Sequence, residues 1–352
     1  MSRAVRPVMA ARVCNTDRGA THIPPQPARL EPMRIVVLAG GIGGARFLRG
    51  LKDALGNRAD PAGEETEITV VGNTGDDITL FGLRVCPDLD TVMYTLGGGV
   101  NEDQGWGRAD ETFSVREELA AYGMEPQWFG LGDRDVATHV VRSQMLAAGY
   151  PLSAITEALC DRWRPGVRLL PMSDDQVETH VLVDDGSGRR AIHFQEWWVR
   201  HRARIPAESI VSVGADGAKP APGVLAALRQ ADLVLLPPSN PVVSVGSILG
   251  VPGIREAVSA KTVVGVSPII GGAPVRGMAD ACLSAIGVET SARAVAEHYG
   301  PELLDGWLVD EADADTEVAG VAVRAMPLYM SDPERTEAIA RAALDLAVEL
   351  KG

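Results

Sequence analysis

Apolar runs of strand length recur along the chain at 34–39, 67–72, 232–236 and 262–266, each closing on Gly, Pro, Asn or Ser. Between and after them lie patterns of helical period, such as Ala45–Leu55 and Met278–Ile286. Strands that are apolar throughout, and not alternating, belong to a parallel sheet whose two faces are both covered by helices. The pattern therefore predicts an α/β, doubly wound, mainly parallel sheet. Two further runs, Gly306–Val309 and Gly320–Ala325, are expected to complete it. A different pattern appears in the middle third. Ile192–Trp197 alternates, and it follows Val177–Asp184 across Asp185-Gly186-Ser187-Gly188, which predicts a hairpin. Residues 102–215 thus read as an insertion of helices and a β-hairpin into the core. The chain closes on a helix, with Asp332 as N-cap, Pro333 at N1, and Ile339, Ala342, Ala343, Leu346 and Leu350 on one stripe.

The first 32 residues carry five arginines and no apolar periodicity, so they are expected to be a disordered leader with Met33 as the natural start; a transit peptide is the alternative. The folded unit is then 33–352. A formal charge of −14 argues against nucleic acid or an anionic membrane as partner. Leu233–Ile254 is uncharged but holds Pro237, Pro238, Pro241 and Pro252, which no spanning helix tolerates together. The cysteines, at 14, 86, 160 and 282, form no C-x-x-C, which predicts reduced thiols and a cytoplasmic protein. A cytoplasmic homodimer is the expected assembly.

Candidate chemistry gathers where strands end. Gly40-Gly41-Ile42-Gly43-Gly44-Ala45-Arg46 joins the first strand to the first helix. Glycines there let backbone N–H groups and a helix N-terminus meet a phosphate, so Gly40, Gly41, Gly43 and Gly44 are candidate phosphate contacts; a tight turn is the plain alternative. The run lacks the Lys-Ser/Thr of a P-loop and has Arg46 where a dinucleotide fingerprint wants Gly or Ala. The second strand ends in Gly72-Asn73-Thr74 and not in an acid for a ribose, which disfavours NAD. Two acidic clusters follow, Gly75-Asp76-Asp77 and Pro87-Asp88-Leu89-Asp90-Thr91. Such carboxylates could hold Mg2+ against substrate phosphates, or orient an attacking hydroxyl. Asp90 could equally cap a helix over Thr91–Leu96, and Asp77 could be an ordinary turn residue. In Gly130–Asp135, Arg134 could clamp a phosphate or carboxylate, or sit in a structural ion pair, while His139 reads as a packed helix histidine. Ser239 and Asn240, and the amides of Gly271 and Gly272, are candidate linings for phosphate or base; rigid turns are the alternative. His193, Gln195, Trp197 and Trp198 give the hairpin a face that could stack on a flat heterocycle or form a core patch, with Trp106 on the same wall.

Taken together these residues resemble the 2-phospho-L-lactate transferase family of coenzyme F-420 biosynthesis. The segments GGIGGARFLRGL, GNTGDD, PDLDTVMYTLGG, GLGDRDVATH, RLLPMSDD, IHFQEWW, PPSNPVVSVGSI and SPIIGGAPVRGMAD carry the likeness in order, from Met33 nearly to the end. The resemblance implies a Rossmann-like fold and a Mg2+-dependent transfer. The donor would be a guanosine diphospho-conjugate of a three-carbon acid, and the acceptor the ribityl hydroxyl of the deazaflavin Fo, with GMP leaving. It implies Asp76, with Asp77, as metal ligands, Asp90 and Arg134 around Fo and the reacting phosphate, and the glycine run and Ser239-Asn240 towards the nucleotide. On residue type alone, His193 and Trp197 are the candidates on the hairpin face for contact with the deazaflavin ring. Actinobacterial members, which the chain resembles most, use the enolpyruvyl donor and archaeal relatives the lactyl one. A related family of nucleotide-sugar-binding regulators shares the glycine run and the Ser-Asn-Pro turn, and a nicotinamide dehydrogenase is the third alternative.

Overall fold

A computed structural model of the chain describes residues 33–56, 66–186 and 188–351, so the expectation of a disordered leader over 1–32 lies outside the described residues. The chain begins with β1 (Arg34–Ala39), α1 (Gly41–Gly56) and β2 (Glu67–Gly72), followed by a small hairpin of β3 (Ile78–Leu80) and β4 (Leu83–Val85). Next come α2 (Pro87–Leu96), α3 (Ser114–Ala121), α4 (Asp133–Ala147), α5 (Leu152–Trp163) and β5 (Arg168–Pro171). A separate three-stranded sheet holds β6 (Glu178–Asp184), β7 (Arg189–His193) and β8 (Ala207–Val213). The second half runs through α6 (Val224–Gln230), β9 (Leu233–Leu236), α7 (Val245–Leu249), α8 (Ile254–Ser259) and β10 (Val263–Val266). It ends with the short hairpin β11 (Ile269–Ile270) and β12 (Ala273–Pro274), then α9 (Ala279–Ala285), α10 (Ala292–Tyr299), β13 (Gly306–Val309), β14 (Ala322–Ala325) and α11 (Pro333–Glu349).

The main sheet is parallel throughout, in the order β14-β13-β10-β9-β1-β2-β5. The chain winds outward from β1 to β2 and β5, then returns to the other side of β1 and winds outward again from β9. That is the doubly wound, Rossmann-like order expected, and its switch point lies between β1 and β9. The uninterrupted apolar runs follow from the two covered faces. Ile35, Val37 and Ala39 pack with α1, α2, α5 and α11, while Val36 and Leu38 pack with the layer formed by α6 to α10. α1 and α11 meet closely at Gly50, where a Cβ would lie 2.5 Å from the Thr336 carbonyl. Asp332 caps α11 as expected, accepting from Arg335 N at 2.8 Å.

Four local features differ from the expectations. The stretch 102–215 is not one continuous excursion, because β5 lies within it and pairs with β2. A four-residue strand at the sheet edge carries too little pattern to be read. The hairpin of β6 and β7 forms as expected, with Asp184 opposite Arg189, but β7 ends at His193 and Glu196–Arg200 makes a π-helical turn. α2 starts at Pro87 and not after Asp90, with the proline at N1. α1 starts inside the glycine run, where Gly41 takes φ +63°, a conformation glycine adopts freely.

Candidate active site

A cavity of about 910 Å3 opens at the carboxyl ends of β1 and β9, at the switch point. This is where an open α/β sheet offers a crevice, because the loops after the two neighbouring strands diverge to opposite faces. Gly40, Gly41 and Gly43, the acids Asp76, Asp88 and Asp90, and the rings of Trp106, Phe194 and Trp198 all line the cavity.

Internal packing accounts for much of the glycine run. Gly40 N donates to Ser239 Oγ at 3.3 Å, and that hydroxyl donates to the Gly40 carbonyl at 2.8 Å. A Cβ on Gly40 would come within 3.0 Å of Asp88, one on Gly43 would do so with the Pro238 carbonyl, and one on Gly44 would lie 2.7 Å from Ser239 Oγ. Gly41 N donates to Asp88 Oδ1 at 2.8 Å. A protein carboxylate thus takes the place at the start of α1 where a bound anion is commonly found. Ser239 and Asn240 reach the cavity wall, but Asn240 Oδ1 is occupied in its own turn, accepting from Val242 N and Val243 N at 2.9 and 3.2 Å. Gly44 is buried behind the wall. Gly271 and Gly272 form the two-residue turn of β11 and β12, exposed, with φ of +57° and +79° and Gly271 N bound to Asp313.

The acids after β2 and before α2 share one buried corner. Asp76 lines the cavity, and its Oδ1 has no hydrogen-bond partner. Burial, then the charges of Asp88 and Asp77, push its pKa well above the usual carboxylate range. Asp88 is pushed up to about 6 by burial, against the bonds from Asn73 and Gly41 that favour its charge. Asn73 ties the corner together, donating to Asp88 Oδ2 at 2.9 Å and to the Val243 carbonyl at 3.1 Å while accepting from Gly75 N. Asp77 is fully buried and off the cavity wall. Its nearest cation is Arg84, 3.7 Å away, and burial holds its pKa at about 7 despite that arginine. Two buried carboxylates on the wall, one with an unsatisfied oxygen, suit a hard divalent cation. Asp77, the other expected ligand, stands one residue behind the wall with both carboxylate oxygens buried and without a hydrogen-bond partner. A second cluster, Asp90, Asp135 and His139, places one atom from each residue within 4.8 Å of the others.

These shifts fix a sign. Carboxylates whose folded pKa is raised bind protons more tightly in the native state, so the stability they contribute is present at low pH and lost as pH climbs through about 6 to 7. Without divalent metal the melting temperature should fall between about pH 5 and pH 8. Added Mg2+ should raise it more at the higher pH, as differential scanning fluorimetry would show. A flat profile that Mg2+ does not move would exclude a cation at this corner.

The remaining candidates separate. Asp90 lies on the wall in the first turn of α2, where its side chain accepts from Arg142 and does not cap the helix. Arg134 is about half exposed, pairs with Asp110 at 3.8 Å, and stands outside the lining of the cavity. The arginines on the wall are Arg46, Arg202 and Arg276. His193 also lies off the wall. Its Nδ1 accepts from Gln195 N, so its Nε2 donates to the Asp77 carbonyl at 3.2 Å. Trp197 is fully buried among Val181, Val183, Ile192 and Phe194, with Nε1 bound to the Ile205 carbonyl at 2.8 Å. The core alternative holds for it, and the neighbouring Trp198 takes the wall position. Trp197→Ala should therefore cost roughly 3–5 kcal/mol in denaturant unfolding, as for other buried aromatics. Trp198→Ala, at a partly buried ring stacked on Phe194, should cost clearly less. Asp88 stood in an acidic cluster read as able to hold Mg2+, whereas Asn73 and Arg142 were not legible as site residues, because only the tertiary approach of α2 and α4 to the strand ends gives them their roles.

The family model described as 2-phospho-L-lactate transferase CofD matches residues 35–341. A protein of Thermobifida fusca named phosphoenolpyruvate transferase is 85% identical over 319 residues, covering 91% of this chain and 99% of its own length. A protein of the same name from Streptomyces coelicolor is 67% identical over 325 residues, with the same coverage of 91% and 99%. Among solved structures, protein BH3568 from Bacillus halodurans superposes with a TM-score of 0.59 at 18% identity, covering 89% of this chain and 100% of that one, a likeness of fold alone. No helix among the described residues is long and apolar enough to cross a membrane. The dehydrogenase and regulator alternatives give way to these matches. With the doubly wound fold and a cavity at its switch point, they make the chain a transferase that belongs to the 2-phospho-L-lactate transferase CofD family.

Proposed function

We propose that the enzyme moves a phosphoenolpyruvyl group from a guanosine diphospho-conjugate to the ribityl hydroxyl of Fo, with Mg2+, releasing GMP and giving dehydro-F-420-0 in coenzyme F-420 biosynthesis. The enolpyruvyl donor is favoured over the lactyl one by the name its relatives carry, phosphoenolpyruvate transferase. The observation that carries the reading is the unpartnered Asp76 oxygen on the wall of the switch-point cavity, which aromatic rings also line. Transfer of a substituted phosphoryl group calls for charge neutralisation and in-line positioning more than for a strong nucleophile.

Asp76 and Asp88 would hold Mg2+, which when bound neutralises the diphosphate of the donor. Arg46 and Arg276 also line the cavity and complement an anionic donor. Each is anchored through a backbone carbonyl of the loop before Trp106, Arg46 on Glu102 at 3.5 Å and Arg276 on Gln104 at 2.6 Å. Trp106, Phe194 and Trp198 offer faces for a deazaflavin ring. Asp90 orients the acceptor hydroxyl. The protein would act on these small molecules in the cytoplasm, as a homodimer.

Incubation with Fo, Mg2+ and each donor in turn, read by mass spectrometry, tests this. GMP and dehydro-F-420-0 from the enolpyruvyl donor are expected. Absence of a product with either donor would remove the reading, and a product from the lactyl donor alone would correct it. Calorimetry should also find binding of GDP and none of NAD.

A further inference from the structure

Behind the inner wall of the cavity, α2 and α4 bury a charged network centred on Arg142, which is 2% exposed. One guanidinium nitrogen donates to Asp90 Oδ1. The other donates to the Arg84 carbonyl at 3.3 Å and lies 3.1 Å from His139 Nδ1. A guanidinium has only donors, so His139 Nδ1 must accept, and the neutral ring carries its proton on Nε2. That Nε2–H makes no aligned hydrogen bond, although Asp135 Oδ2 lies 3.3 Å away. The other oxygen of Asp135 accepts from Tyr94 OH at 2.6 Å. Asp90 Oδ2 is likewise buried without a hydrogen-bond partner, 3.7 Å from Nδ1 of the same imidazole.

Asp90 and His139 both line the cavity. One arginine therefore holds two residues of the cavity lining, one with a buried acceptor and one with a buried donor that lack aligned partners. Leaving both unsatisfied is costly, and a hydroxyl, which donates and accepts at one atom, satisfies both at once. A metal ion does not fit. Ligation through Nε2 would require the imidazole proton on Nδ1, facing the Arg142 donor.

We propose that Asp90 Oδ2 and His139 Nε2–H are the recognition pair for the acceptor hydroxyl, and that Arg142 is the positioning residue that fixes both. This rests on the reading of the enzyme as a transferase to a hydroxyl acceptor. The hydroxyl hydrogen bonds Asp90, and its oxygen accepts from His139 and keeps a lone pair for phosphorus. As the new O–P bond forms and the P–O bond to GMP breaks with its electron pair, the hydroxyl proton passes to Asp90 Oδ2.

The test begins with 15N NMR of histidine-labelled wild-type enzyme, which needs no substitution to fold. His139 should show a protonated Nε2 and an unprotonated Nδ1, unchanged by saturating Mg2+. A proton on Nδ1, or a metal-induced shift of Nε2, would overturn the proposal. His139→Leu should raise KM for Fo roughly 10-fold, the worth of one hydrogen bond, with GDP affinity unchanged. His139→Gln, which keeps a donor, should recover part of the loss. Arg142→Lys keeps the charge but cannot bridge two partners, so kcat/KM for Fo should fall while KM for the guanosine donor stays the same. An unchanged KM for Fo in His139→Leu, with only a lower melting temperature, would mean a structural histidine. Failure of the wild type to use Fo would instead remove the functional reading, and the NMR result would stand apart from it.

Discussion

Gly43→Ala should reduce turnover by about 100-fold or more and destabilise the fold, although it adds one methyl group to a helix start. The added Cβ would come within 3.0 Å of the Pro238 carbonyl. Both partners are backbone, at the start of α1 and in the loop after β9, so no side chain can swing away. Overpacking of this kind typically costs ~1–3 kcal/mol, and a backbone obstacle places it at the upper end. The strain is relieved only by parting β9 from α1, which opens the switch point itself. Displacing catalytic groups by about 1 Å can cost on the order of 100-fold in rate. Gly56→Ala is the control. Among the described residues no atom lies within 4 Å of a Cβ there, so stability and turnover should stay near those of the parent. Steady-state kinetics and urea unfolding on the two variants decide the matter. Wild-type turnover in Gly43→Ala would mean that the close approach of loop to helix is not needed for catalysis.

The central strands were legible because burial on two faces leaves a continuous apolar run, as in Val36-Val37-Leu38 or Leu233–Leu236. The edges were not. β5 offers four residues, and β8 keeps Val211 and Val213 about half exposed, so neither carries a pattern that a sequence window can separate from a loop. The starts of α1 and α2 were misread for a related reason. Asp88, 47 positions further along, accepts from Gly41 N, and no local cap marks that end. Within the site, loops at strand ends could be placed, because the doubly wound order dictates where they gather. Side-chain direction could not. Asp76 and Asp90 reach the wall while their neighbours Asp77 and Leu89 turn into the core. Trp197 and Trp198 divide between core and wall in the same way, across a π-helical turn that breaks the strand alternation. Arg134 has the residue type of a phosphate clamp, but it stands on the outer side of α4 while Arg142, two turns on, faces inward to Asp90.

Asp76→Asn should separate activity from stability with opposite signs. The substitution keeps the shape of the side chain and removes its charge. In the parent, that charge is buried beside Asp88 and Asp77, which raise its pKa further, so the corner is electrostatically destabilised until a cation enters. A neutral amide relieves the repulsion. The metal-free variant should therefore melt at the same temperature as the parent or higher, and the stabilisation by Mg2+ should shrink. Turnover should fall by at least the order of 100-fold, since even the partners behind a metal ligand typically contribute about 10- to 100-fold. The Mg2+ concentration for half-maximal rate should rise, because Asp88 alone would hold the ion, with both its oxygens already accepting from Asn73 and Gly41. A residue that only shapes the turn after β2 would behave differently, losing stability and keeping its rate. Turnover measured across a Mg2+ titration, beside melting curves with and without the metal, distinguishes the two roles. Near-parental turnover with an unchanged titration would show that Asp76 holds no metal.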